Sequence, residues 1–213
     1  MDPSLSQAEA LCAVMAGIHR RGWCDGTGGN FSCVQQKEPL ELLMAPSGVD
    51  KGSVQPAELI VVDAAGQVIQ GAGKASAETL LHLAIIATTG AGAVLHTHSP
   101  SATLLSRLAC PQGQGSAGIT IAGLEMLKGL EGITTHEAAI TVPVLANDQD
   151  LAKLSQAAVP HLPQAPHGLL IAGHGLYAWG SDLDQAQRHL EILEFLLEQH
   201  WRELLLQALV ANA

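Results

Sequence analysis

Along the chain, apolar runs with strand spacing alternate with longer stretches whose apolar residues recur at helical intervals. Ser6-Gln7-Ala8-Glu9 has the form of a capping box. The apolar positions Ala8, Leu11, Met15 and Ile18 continue a first helix, and Gly22 is placed to stop it. Asp25-Gly26-Thr27-Gly28-Gly29-Asn30 is a glycine-rich loop that leads into a strand at 31–34. Strands are predicted at 40–44, after which Ala45-Pro46-Ser47-Gly48 turns, and at 59–62 and 67–69 around the hairpin turn Asp63-Ala64-Ala65-Gly66. A helix carrying Leu80, Leu81, Ala84 and Ile85 follows, with Ser76 as N-cap and an end near Gly90. The run 92–97 reads as a strand, and Ser99-Pro100 as an N-cap followed by proline in the first turn. Strands at 118–121 and 139–145, a helix opening at Asn147-Asp148-Gln149-Asp150, and strands at 169–172 and 176–179 come next. Ser181-Asp182-Leu183-Asp184 starts a last helix that runs to about residue 209. Its apolar positions Leu183, Ala186, Leu190, Leu193, Leu197, Trp201 and Leu204 are spaced close to a heptad. Core packing and a subunit contact both account for them.

This succession predicts one layered α/β domain over residues 1–213. Short turns between several strands make the sheet mixed or antiparallel. Aromatics are only 3% of residues, so the core must be built from Ala, Leu, Val and Ile. A net charge of −10 argues against a nonspecific nucleic-acid binder, which needs a basic face. Cys12, Cys24, Cys33 and Cys110 form no C-x-x-C pair, which argues for reduced thiols over a disulfide framework. Met1-Asp2-Pro3 lacks the basic and apolar regions of a signal peptide, and no apolar run reaches membrane-spanning length. A soluble cytoplasmic protein is expected, without nucleic-acid or membrane partners.

The chemistry concentrates in Leu95-His96-Thr97-His98-Ser99-Pro100. Residues two apart on a strand share a face, so His96 and His98 aim at one point. His174, between Gly173 and Gly175, also follows an apolar run. Three convergent imidazoles with an open fourth position describe a catalytic zinc-type site, although imidazole also suits iron, nickel, cobalt and manganese. His82, His136, His161, His167, His189 and His200 are read as non-ligands. Gly28-Gly29-Asn30, Ser47-Gly48 and Ser76-Ala77 are small-residue turns whose backbone N–H groups suit a phosphate, and Lys51 and Lys74 are available to add charge. Each is also a routine turn. No P-loop or dinucleotide fingerprint accompanies them. Glu78, at a helix start, and Glu125, in Gly123-Leu124-Glu125-Met126-Leu127-Lys128-Gly129, are candidate bases. The plain readings are a helix-dipole contact for Glu78 and a solvated helix residue for Glu125.

The ordered patterns G-x-G-G-N, A-P-S-G, S-A-E-x-x-x-H, H-T-H-S and G-H-G resemble those of the class II aldolase/adducin family over about residues 8–200. Three segments are most similar to the family's dehydratases: Gly26-Thr27-Gly28-Gly29-Asn30, Ala45-Pro46-Ser47-Gly48-Val49 and Glu125-Met126-Leu127-Lys128-Gly129. The resemblance implies an α/β/α fold with a mixed, largely antiparallel central sheet. It further implies one zinc ion per subunit held by His96, His98 and His174, and a phosphate pocket from Gly28, Gly29, Asn30, Ser47, Gly48 and Ser76. A phosphorylated ketose would be the substrate of a homotetramer with sites near subunit boundaries. The family's aldolases use the Glu matching Glu78 as base, and its dehydratases the Glu matching Glu125. Ala75 stands where the family often has Pro, and Ala77 where aldolases often carry a second phosphate-binding Ser. The second departure weighs against a sugar aldolase. An aldolase or epimerase acting on another sugar phosphate is the alternative activity. A non-catalytic adducin-like scaffold predicts lost ligands, whereas all three histidines are present.

Overall fold

A computed structural model describes residues 6–112 and 114–211, so the Met1-Asp2-Pro3 opening lies outside the described residues. Helix α1 (Gln7–Arg20) starts on the expected capping box: the Ser6 side chain accepts from the Glu9 N–H, and Ser6 N–H donates to the Glu9 carboxylate at 2.8 Å. Strands β1 (Asn30–Gln36), β2 (Glu41–Met44), β3 (Ile60–Asp63) and β4 (Val68–Gln70) follow. Then come α2 (Thr79–Thr89), β5 (Ala93–Thr97), α3 (Pro100–Ala109), β6 (Ser116–Ala122) and β7 (Ala139–Leu145). Helix α4 (Leu151–Ala158), strands β8 (Gly168–Ile171) and β9 (Gly175–Gly180), and α5 (Leu183–Ala211) close the order.

The strands form one nine-stranded sheet in the order β4-β3-β2-β1-β5-β9-β8-β7-β6. Among the described residues only β7 and β8 pair in parallel, so the mixed, largely antiparallel sheet is as expected. Two cores lie on its faces. One joins α1, α3 and α5 to residues such as Phe31, Leu95 and Ala178, and the other joins α2 and α4 to Leu42, Val94 and Trp179. The layering is therefore α/β/α. The middle strand β5 is buried along its whole length, and alternate residues feed opposite cores. That alternation sends His96 toward α2 and Thr97 toward α5.

Ser76 is not the N-cap of α2. The cap is Glu78, and the Ser76 hydroxyl instead accepts from the Glu78 N–H at 3.3 Å in the turn before it. A serine two residues early closes its own local turn in preference to the first helical one. Both readings of the last helix have a counterpart. Leu183 to Leu197 pack into the core, whereas Leu204, Leu205, Leu206, Leu209 and Val210 are exposed on the last turns. Among the described residues no helix is long and apolar enough to cross a membrane.

Candidate functional site

His96 and His98 leave β5 on the same side, and His174 enters from the turn between β8 and β9. The β8–β9 turn reaches them because β9 pairs directly with β5, Thr97 opposite Leu176. That pairing demands glycine at 175, since a Cβ there would overlap the Thr97 carbonyl oxygen. On the other flank β1 pairs Asn30 with His96, and Gly29 packs so closely that a Cβ would lie 2.7 Å from the His96 carbonyl oxygen. With φ at +76°, position 29 also has a backbone conformation that glycine adopts without strain.

The imidazoles meet nitrogen to nitrogen. His96 Nε2 lies 2.8 Å from His98 Nε2 and 3.4 Å from His174 Nε2. His96 Nδ1 donates to the Leu176 carbonyl at 3.0 Å, which leaves Nε2 as a bare lone pair. Glu78, from the start of α2, places Oε1 2.8 Å from His174 Nε2 and 3.7 Å from His96 Nε2. One donor atom from each of these four residues lies within 4.8 Å of the others. Lone pairs gathered this tightly repel unless a cation sits among them, so the donor set fits a divalent metal. Burial holds His96 well below the usual histidine range, and burial followed by His174 lowers His98. Burial works to raise the Glu78 carboxyl, but the His174 hydrogen bond and nearby His96 outweigh it and bring it down to about 2. His96 and His98 are therefore neutral, and Glu78 ionised, at neutral pH. Asn30 donates to the second Glu78 oxygen, and the Tyr177 ring stacks on His96 at 3.8 Å, fixing both partners. His82, read as a non-ligand, has Nδ1 2.7 Å from Ser32 Oγ and Nε2 buried without a hydrogen-bond partner, and burial lowers it to about 4.

Beside the cluster is a cavity of 190 Å³ lined by all six predicted phosphate residues, Gly28, Gly29, Asn30, Ser47, Gly48 and Ser76. Glu78 and His98 border it too, so cavity and cluster share a wall. Lys51 also lines it, with Nζ donating to the carbonyls of Thr27 at 3.1 Å and Val49 at 2.9 Å. Lys74 is not in the lining; its carbonyl accepts from Ser47 N–H and so holds two of the loops together. A larger cavity of 930 Å³, lined by Trp23, Met126, Glu194 and Phe195, contains none of the three histidines.

Glu125 is not brought to the cluster within one chain. It is exposed on a short 3-10 turn and pairs with Lys128 at 2.6 Å and His136 at 3.7 Å. Strand direction explains this. His174 follows the C-terminal end of β8, β7 runs parallel to β8, and β6 runs antiparallel to β7. Glu125 follows the C-terminal end of β6 and so lies at the opposite end of the sheet, on its edge. The offset is four strands at about 4.8 Å each, plus roughly 20 Å along the strands.

Glu194 is a site residue that sequence reasoning missed. It sits behind the ligand strand, accepting from Thr97 Oγ1 and Ser99 Oγ, each at 2.5 Å. These are the residues that alternate with His96 and His98. A glutamate within the buried stripe of Leu190, Leu193 and Leu197 is the readable sign of it. Burial raises its carboxyl to about 7 despite the two hydroxyl donors. Between the unfolded value near 4.5 and about 7, the folded chain keeps a proton that the unfolded chain has lost. The folded state thus loses stability as pH rises through that window. Glu194→Gln, which cannot ionise, is expected to gain roughly 2–3 kcal/mol on wild type between pH 5 and pH 8. Urea denaturation at the two pH values measures this, and an equal difference at both would contradict it.

The sequence matches the Class II Aldolase and Adducin N-terminal domain over residues 9–201. The chain belongs to this family. A relative named methylthioribulose-1-phosphate dehydratase, from Serratia proteamaculans, is 40% identical over 205 residues, covering 95% of this chain and 97% of its own. The fold also matches two solved structures of family members. YgbL from Escherichia coli has a TM-score of 0.75 and 27% identity, covering 90% of this chain and 86% of its own. The L-fuculose-1-phosphate aldolase from Thermus thermophilus has a TM-score of 0.71 and 26% identity, covering 96% of both chains.

Proposed function

We propose that this chain is a lyase that removes water from 5-methylthioribulose 1-phosphate. The product is 2,3-diketo-5-methylthiopentyl 1-phosphate, formed in methionine salvage. The observation that carries the reading is the shared wall: His98 and Glu78 border both the donor cluster and the six-residue cavity. A phosphate held in that cavity brings the ketose carbons over the cluster. The name carried by a relative 40% identical over nearly the whole chain favours dehydration over carbon–carbon cleavage.

In this reading His96, His98 and His174 hold one zinc ion. Bound there, zinc would supply the Lewis acidity that acidifies the C3 proton of the ketose. The backbone N–H groups of Gly29 and Gly48, the hydroxyls of Ser47 and Ser76, and the Asn30 amide bind the phosphate, with charge from Lys51; Gly28 forms part of the pocket wall, its own N–H donating to the Asp25 carbonyl at 3.2 Å. Glu125 takes the C3 proton and delivers one to the departing C4 hydroxyl, which leaves as water. The resulting enol tautomerises to the 2,3-diketone. Glu125 is at the far end of its own sheet, so the reading requires a homotetramer in which a neighbouring subunit presents it. The exposed leucines at the end of α5 supply apolar surface for such an assembly.

One observation favours a second reading. Glu78 is inside the donor cluster, where an aldolase or epimerase base would stand. Product analysis separates the two. The purified protein should convert methylthioribulose 1-phosphate to the diketone and leave fuculose and rhamnulose 1-phosphates intact. Release of dihydroxyacetone phosphate from the latter pair, with no diketone, would overturn the dehydratase reading. The phosphate pocket has its own test. Ser47 is exposed and lines this cavity. Ser47→Ala removes one hydrogen bond to a charged group and should raise KM about tenfold. An unchanged KM would place the phosphate elsewhere.

A further inference from the structure

A second group of ligand-type side chains stands at the other end of the sheet. His189 is on α5, His167 directly precedes β8, and Glu131 lies in the segment between β6 and β7. One donor atom from each lies within 4.8 Å of the others. His167 precedes β8 while His174 follows it, so β8 separates this group from the first cluster.

His189 is wholly buried, and its Nδ1 donates to the Trp179 carbonyl at 2.7 Å. That bond fixes the tautomer and leaves Nε2 as a lone pair, the arrangement in which protein histidines hold metals. The contact made by Nε2 is the Glu131 backbone N–H at 3.4 Å, too long to satisfy it well. His167 has φ at +56°, a conformation uncommon for a non-glycine residue. Its backbone is held there by two hydrogen bonds, from its N–H to Ala165 and from Trp179 N–H to its carbonyl. Its ring stacks on His189 at 4.1 Å. Glu131 and His167 open on a cavity of 480 Å³, into which the C-terminus of α2 also faces at Thr89 and Gly90. Carbonyls at a helix C-terminus favour a cation.

We propose that Glu131, His167 and His189 form a second divalent-metal site, of the zinc class, distinct from the His96–His98–His174 cluster. Two imidazoles and a carboxylate suit zinc, with water completing the shell from the cavity. Closing on the ion requires the half-buried His167 ring to turn out of its stack. The bound ion ties α5, the entry to β8 and the segment before β7 into one unit.

The test is metal counting. Metal-stripped full-length protein is dialysed against zinc chloride, and bound zinc per chain is measured. Wild type should hold two ions, His98→Ala one, and the double variant His98→Ala/His167→Gly none. Glycine suits the positive φ at 167, so the backbone there is kept. Glu131→Gln, at an exposed position, should weaken the second ion at least tenfold without altering the first. Zinc should raise Tm in His98→Ala and leave it unchanged in the double variant. A wild-type chain that holds one ion, or a second ion that persists in both the His167→Gly and Glu131→Gln backgrounds, would overturn the proposal.

Discussion

His98→Ala is expected to lose one zinc ion per chain and on the order of 10³-fold or more in kcat/KM. The reason is the crowding of nitrogens. His98 Nε2 is 2.8 Å from His96 Nε2, and a cation is what makes that approach favourable. Without the third imidazole, His96, His174 and Glu78 would form an incomplete shell, and the Lewis acidity that the proposed enolisation requires would go with it. His98 is a better target than His96, which is fully buried and stacked on Tyr177. The fold should survive, because the backbone bond from His98 N–H to the Trp23 carbonyl at 2.7 Å does not need the side chain. Metal analysis, a thermal melt and a dehydration assay check the three parts separately. Full activity in a chain that has lost this ion would remove zinc from the mechanism.

Glu125→Gln is expected to keep its metal and lose about 10²- to 10⁴-fold in kcat, the usual contribution of a positioned acid/base group. KM should hardly change, because phosphate and metal contacts remain. The position of Glu125 yields a sharper test. It pairs with Lys128 on the exposed surface, at the sheet end remote from its own histidines. If catalysis uses it, the site is composite. Unfolding and reassembling His98→Ala with Glu125→Gln chains in equal amounts should then restore roughly a quarter of wild-type activity. That fraction is the share of boundaries in a mixed ring at which an intact histidine cluster meets an intact Glu125. Within-chain catalysis predicts no rescue, since no chain carries both groups. A fully active Glu125→Gln protein would transfer the proposed acid/base role to Glu78, whose carboxylate already touches His174.

Much of the site is legible without coordinates because its signals are local. The capping box at Ser6, the proline that opens α3, and the two-residue alternation of His96 and His98 each depend on a few neighbouring residues. The loop residues from Gly28 to Ser76 are legible for a related reason: small residues that expose backbone N–H groups are distinctive in sequence, and here they converge on one cavity. The start of α2 shows the limit. Ser76 has the right residue type for a cap, but its hydroxyl takes a competing local bond, and the helix begins at Thr79.

The sequence by itself determined most of the elements, the alternating sheet faces, the three histidines that converge, and the family. Tertiary structure decided which carboxylates stand beside them. Glu78 joins the histidines because α2 packs on the face to which β5 sends His96; Glu194 supports the same strand from behind because α5 packs on the other. Glu125 is carried away because β6 runs antiparallel at the sheet's edge. Strand order and direction arise from contacts between segments far apart in the chain. Local periodicity carries the face on which a side chain emerges, but not which strand or helix will lie against it.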